Sequence, residues 1–355
     1  MSWDNRDKVR GIILGTAVGD SIGLPAEGIS RQRNNRLFRG NWHHRFIARR
    51  GMISDDTEHT IFVVQSILAH SDSSQLFAQR LAWCLKWWLL ALPAGAGFAT
   101  LRSVLKLWVG FSPSKSGVYS AGNGPAMRSA PIGAFFADDL NQMDEFVRAS
   151  TIITHTDPKA LVGASAVAYI TGWIIREQLT HRPEKKNFIH TLLSAGTDDE
   201  WKGLVYSLSA ALDENRDVEK FAELIGQGNG ISGYIYHTVS VAAYAWYRYF
   251  GDFRKTLGAI FNCGGDTDTA GAIAGALAGA VVGEEGIPPD WRYGIADWPR
   301  GRTLLLKISD TLALKSQGTA VTSPVGYFWP MVIFRNALFL IIVLFHGFRR
   351  LLPPY

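Results

Sequence analysis

The sequence predicts an all-α protein, and three observations carry that prediction. Long apolar segments at 60–69, 77–92, 158–178, 235–250 and 267–283 have helical periods and are mostly free of proline. Alternating apolar–polar runs of the kind that make half-buried strands are scarce. Two glycine sets, Gly11, Gly15, Gly19 and Gly271, Gly275, Gly279, recur every four residues. That spacing keeps each set near one face of a helix. Glycine costs roughly 1 kcal/mol in a helix interior, so a repeated glycine implies a compensating gain, most simply close approach of two helix backbones. The two ladders are therefore expected to pack on each other. A membrane dimer of the GxxxG type is the competing reading. The run AGAIAGALAGAVVG at 270–283 is shorter than the ~20 apolar residues a span needs, which favours core packing.

Composition sets the frame. A chain of 355 residues, 47% hydrophobic and 19% charged, can build a large core as one big domain or two. The formal charge of +5 and pI near 9.1 do not by themselves indicate nucleic acid as a partner. Cys84 and Cys263 offer neither a disulfide framework nor zinc spacing. They fit a reducing, cytoplasmic compartment. The opening residues MSWDNRDKVRG lack the apolar core of a signal peptide, so secretion is not expected.

Taken in chain order, the first ladder leads into Asp20. Segment 31–50 then carries seven arginines and no acid. It reads either as a solvated surface loop or as a lip that attracts phosphates or an acidic partner surface. Ser54-Asp55-Asp56-Thr57-Glu58-His59-Thr60 follows, ahead of the apolar run Ile61–Val64. Asp55 and Glu58 have the spacing of a capping box, and acids at a helix start offset the macrodipole. A second cluster, Gly264-Gly265-Asp266-Thr267-Asp268-Thr269, opens a helix of nearly pure Ala and Gly. One acid would cap that helix; two with hydroxyls exceed the need. A catalytic domain at 1–316 is expected to be followed by an apolar tail at 317–355. The tail contains YFWPMVIFRNALFLIIVLFHGFRR at 327–350. Its Trp329 and its Arg349 and Arg350 look like membrane flanks. Arg335 and Asn336 interrupt it, and a central arginine is penalised by at least about 2.5 kcal/mol on insertion. Three readings of this segment stay open: a membrane-associated or spanning helix, a helix docked on the protein itself, and an oligomer contact.

The acid clusters carry the chemistry. Asp55, Asp56, Asp266 and Asp268 bring four negative charges, which two divalent cations would balance. Oxygen ligands without nearby cysteine suit Mg²⁺ or Mn²⁺.

At these residues the chain resembles the ADP-ribosylglycohydrolase family, which includes the dinitrogenase reductase-activating glycohydrolases. The resemblance spans roughly 8 to 300 and keeps the order of five motifs: GIILGTAVGDSIGLPAEG, SDDTEHT, GNGPAMRSAPIG, ITHTDPKALVGA and GGDTDTAGAIAGALAGA. It implies a compact orthogonal helical bundle that binds two Mg²⁺ or Mn²⁺ ions and cleaves ADP-ribose from an acceptor. By the same resemblance, Ser54, Asp55, Asp56, Asp266, Asp268 and Thr269 are expected metal ligands. Glu27 falls on a glutamate that gates the site. Gly122, Asn123 and Gly124 form the substrate loop, and His155 lines the cleft. Taken on its own, His155 also reads as a helix-start hydrogen-bond partner. Pro125 departs from the family's usual small residue and would stiffen the loop. The arginine-rich stretch lies in a region that shapes acceptor choice.

The expected reaction is hydrolysis of an N- or O-glycosidic bond at the distal ribose, through an oxocarbenium-like transition state. Asp56 or another acid of the cluster would orient or deprotonate water, and Glu27 would help bind or admit substrate. Amides near Gly122–Gly124 would hold the pyrophosphate. The substrate would be an ADP-ribosylated protein or small molecule. A non-catalytic ADP-ribose reader and a hydrolase of a related ester such as O-acetyl-ADP-ribose are the alternatives.

Overall fold

Helices dominate the chain. A computed structural model describes residues 4–321, 323–349 and 351. Among these residues there are eighteen α-helices, two short 3-10 turns and isolated bridges in place of a sheet. The five expected segments appear as Asp55–Ala69, Ser74–Leu90, Pro158–Arg176, Ile235–Arg248 and Thr267–Val282. Helices such as Phe98–Trp108 and Phe253–Cys263 lack a long apolar run and are amphipathic, burying one stripe only.

The two glycine ladders form the spine. The opening helix (Asp4–Gly23) and the glycine helix (Thr267–Val282) run antiparallel in backbone contact. A side-chain carbon on Gly11, Gly15 or Gly19 would lie 2.1, 2.1 or 1.9 Å from the carbonyl oxygen of Gly279, Gly275 or Gly271. No residue larger than glycine fits there without moving a helix. The pairing brings Asp20 at the end of one helix beside the acid cluster at the start of the other. Pro158–Arg176, although long and apolar enough to cross a membrane, is mostly buried in this core.

The tail folds back on the body. Gln65 exchanges two hydrogen bonds with the backbone of Val325, at 2.6 and 2.7 Å. The tail helix (Pro330–Arg349) then packs Phe339 and Ile342 against Leu24, Phe46 and Met52. Arg335, 4% exposed, points inward to Asp297 at 2.6 Å and to the Ile53 carbonyl. Asn336 donates to the Ala91 carbonyl at 2.8 Å. Of the three readings of the tail, docking on the protein itself is the one these contacts describe. Arg350, read from sequence as a membrane flank, lies outside the described residues, as do residues 1–3 and 352–355.

Candidate functional site

The first acid cluster is built around a buried carboxylate that sequence reasoning did not single out. Asp20 accepts from Ser54 N at 2.9 Å, from Thr57 N at 3.2 Å and from the Thr57 hydroxyl. It thereby ties the turn before the helix Asp55–Ala69 to the end of the opening helix. Burial raises its pKa to about 6, against the opposing pull of the hydrogen bonds from Thr57 and Ser54. Its only sequence signal was its place directly after the last glycine of the first ladder.

The expected capping box does not form. Ser54, rather than Asp55, is the N-cap, and its hydroxyl accepts from the Asp56 amide. Glu58 turns into the core, accepting from Trp88 Nε1 at 2.6 Å and pairing with Arg300 at 2.5 Å. Both members of that ion pair are buried. An unpaired buried guanidinium costs far more than an uncapped amide, so Arg300 claims the glutamate.

The second cluster rests on Gly264 and Gly265, at φ +70° and +80°. Gly265 pairs with the Glu27 loop on one side: Gly28 N donates to its carbonyl and its own N–H donates to Ile29 O, both at 2.8 Å. On the other side Ile231 N donates to Gly264 O at 2.9 Å, and Asp266 N donates to Ile231 O at 2.8 Å. A side chain on Gly265 would strike the Ile231 carbonyl at 2.2 Å. Asp266 occupies the N-cap position of the glycine helix, yet its carboxylate caps nothing. It accepts instead from Asn123 Nδ2 at 2.5 Å.

The clusters meet. Thr269 Oγ1 donates to Asp56 Oδ2 at 3.3 Å, across 213 residues of chain. Burial first, and then the charge of neighbouring carboxylates, raises Asp55, Asp56 and Asp268 well above the usual carboxylate range. Among the described residues, none of Asp55, Asp56, Asp266 and Asp268 forms an ion pair with Lys or Arg. Asp56 Oδ1 and Asp268 Oδ1 are buried with no hydrogen-bond partner. Unpartnered buried carboxylate oxygens, surrounded by hydroxyls, are the donor set a hard divalent cation takes. No group of three His, Cys, Asp or Glu among the described residues closes into a ready-made ligand set. The fit therefore rests on carboxylate and hydroxyl oxygens together.

A cleft of about 670 Å³ opens over this centre. Glu27, Asp55, Asp266, Asp268 and Thr269 stand on its wall, with Gly122, Asn123, Gly124 and His155 opposite the same space. Ser54 and Asp56 are not on that wall. The loop at 122–124 is partly committed to internal bonds. Gly122 N donates to Ser120 Oγ and Asn123 N to Gly233 O, so Gly124 carries the amide of the three left for a ligand. The loop's glycines have a second cause: a side-chain carbon on Gly122 or Gly124 would approach the His155 ring to 3.0 or 3.1 Å. His155 is not the helix-start partner, because Asp157 caps Pro158–Arg176. Burial, then the charge of Arg128, lowers the His155 pKa to about 3, so its ring is neutral at physiological pH. Arg128 is itself fully buried and donates to Ser150 O and Thr154 Oγ1 at 2.9 and 2.8 Å.

The comparisons with known proteins bear on the family and the fold. Residues 1–321 match the ADP-ribosylglycohydrolase family model. An uncharacterized protein of Archaeoglobus fulgidus is 31% identical over 307 residues, covering 82% of this chain and 92% of that one. The ADP-ribosyl-[dinitrogen reductase] glycohydrolase of Rhodospirillum rubrum is 26% identical over 300 residues, covering 80% and 89%. A solved structure titled "ADP-ribosylglycohydrolase-related protein complex" superposes with a TM-score of 0.63 over 88% of this chain and 99% of its own, at 23% identity.

Proposed function

Because the chain belongs to the ADP-ribosylglycohydrolase family, we propose that its cleft releases ADP-ribose from a modified acceptor with the help of two divalent cations, Mg²⁺ or Mn²⁺. One observation supports this most: two acid clusters far apart in sequence are joined by the Thr269–Asp56 hydrogen bond, with buried carboxylate oxygens left unpartnered and, among the described residues, no Lys or Arg paired with them. Ser54, Asp55, Asp56, Asp266, Asp268 and Thr269 would hold the ions. Bound there, the ions would balance the four carboxylates, orient ribose hydroxyls and lower the pKa of a water.

The protein's own groups have separable tasks. Hydrolysis breaks the bond from the distal ribose anomeric carbon to the acceptor nitrogen or oxygen. Water supplies the new C–O bond, and the acceptor leaves with a proton. Asp55 is the carboxylate of the first cluster on the cleft wall, so it is better placed than Asp56 to receive the proton of the attacking water. Asp56 sits behind it, holding Ser54 and Thr269. The surrounding carboxylates favour positive charge developing on the ribose. Glu27, at the open side of the cleft, helps admit or bind substrate. Gly124 offers its amide to the pyrophosphate, and neutral His155 presents an uncharged edge of the cleft. The R. rubrum relative is named for an ADP-ribosylated protein, and a protein acceptor is the substrate class we assign here.

The test is release of free ADP-ribose from ADP-ribosylated arginine, serine and protein acceptors after chelation and return of Mg²⁺ or Mn²⁺. Cation-dependent release, abolished by Asp55→Ala and by Asp268→Ala, is the expected result. Full activity in either variant at saturating cation contradicts the site. Tight binding of ADP-ribose without release would make the protein a reader instead.

A further inference from the structure

The tail helix has two faces. Its inner face carries Val332, Arg335, Asn336, Phe339 and Ile342 into the body. Arg335 cannot leave for a bilayer without abandoning Asp297, which is itself buried, and leaving that carboxylate unpaired. The outer face is apolar and open to solvent: Phe334, Ile341 and Phe345 are 70, 64 and 65% exposed, with Leu338, Leu344 and Phe348 beside them. Positions 334, 338, 341, 345 and 348 follow the i, i+4, i+7 spacing of a single helix face. So large an unpartnered apolar face marks an interaction surface.

Charge decides what covers it. The arginine-rich segment docks against the same helix: Phe46 packs tilted against Phe339 and stacks on His346, and His346 Nε2 meets the Phe46 carbonyl at 2.8 Å. Immediately after Phe46, a two-residue turn at Ala48–Arg49 is closed by hydrogen bonds between Ile47 and Arg50, at 3.1 and 2.7 Å. That turn presents exposed Ile47, Arg49 and Arg50, and Arg349 is exposed at the carboxy end of the helix. At the amino end, Trp87 meets Trp329 edge-on at 5.2 Å, next to half-exposed Trp83. An apolar stripe with tryptophans at one end and arginines at the other is the composition of a helix that lies in a lipid headgroup layer. We propose that the tail helix and the Ile47–Arg50 turn form one docking face for an anionic lipid surface, with the helix lying on the membrane and not crossing it. This inference does not depend on the catalytic reading.

The full chain should be floated with vesicles of phosphatidylcholine alone and with about one-third phosphatidylglycerol. We expect binding to the anionic vesicles and about tenfold less at high salt or to neutral vesicles. F334S/I341S/F345S and, separately, R49Q/R349Q should each weaken binding about tenfold or more with helix content and melting temperature unchanged. Because the arginine variant leaves the helix intact, it guards against misfolding of the first. Binding that survives both variants, or no binding of the unaltered chain, overturns the proposal. Retention after an alkaline carbonate wash overturns the surface placement in favour of insertion. A dimer that the outer-face variant converts to monomer, with no lipid dependence, assigns the face to a second copy of the chain.

Discussion

Substituting Gly15 by alanine isolates the contact on which the whole site depends. Alanine is the better helix former by about 1 kcal/mol, so local propensity alone favours the variant. The structure opposes it. The new carbon would sit 2.1 Å from the Gly275 carbonyl oxygen, where ordinary contact begins near 3.4 Å. The helices would have to part by about 1.3 Å (3.4 − 2.1), and the obstructing atom is backbone. Overpacking of this kind costs about 1–3 kcal/mol, and a rigid backbone obstacle pushes toward the upper end. After the propensity gain, we expect a net loss of about 2 kcal/mol. Gly203, in the helix Asp199–Asp213, supplies the control, since nothing lies within 4 Å of a side chain added there. Gly203→Ala should gain up to about 1 kcal/mol. Urea denaturation followed by circular dichroism reads both. If Gly15→Ala is as stable as Gly203→Ala, the two helices are not in backbone contact.

Three further outcomes follow from named contacts. Glu58→Gln leaves Arg300 buried and uncompensated, and should cost about 3–5 kcal/mol in a denaturant titration. Asn123→Ala frees the Asp266 carboxylate, and should raise the cation concentration needed for activity or lower turnover by about 10- to 100-fold, with little change in melting temperature. Asp310 is partly buried, but hydrogen bonds from Arg6 and Arg10 hold its pKa down to about 2, below its ordinary 3.8. A depressed carboxylate stabilises the fold above its unfolded pKa and loses that contribution as pH falls through the folded one. Discounting for the partial exposure of both arginines, Asp310→Asn should cost about 1 kcal/mol at neutral pH. The gap between variant and parent should close near pH 2, as followed by thermal melts across pH.

The sequence made legible whatever repeats or clusters locally. The glycine ladders announced their own partner, because two faces stripped of side chains at matching intervals fit only each other. The acid clusters were visible because they exceed what helix capping needs. What escaped were pairings between single residues distant in the chain. Asp20 with Ser54 and Thr57, Asn123 with Asp266, Glu58 with Arg300, and Arg335 with Asp297 each join residues whose local pattern says nothing about the partner. The capping box failed for the same reason: its spacing was correct, but a distant arginine bound the glutamate more strongly. Arg335 shows the converse case. From sequence it was a defect in an apolar run; in the fold it is the bond that holds the tail helix to Ile53, one residue before the first acid cluster.

The proposed chemistry requires the two acid clusters to make one centre. Electron paramagnetic resonance of the chain loaded with Mn²⁺ tests it most directly. An exchange-coupled pair of ions, lost as a pair in both Asp56→Asn and Asp268→Asn, is the predicted spectrum. Isolated-ion signals, with one ion surviving undisturbed in each variant, would contradict it.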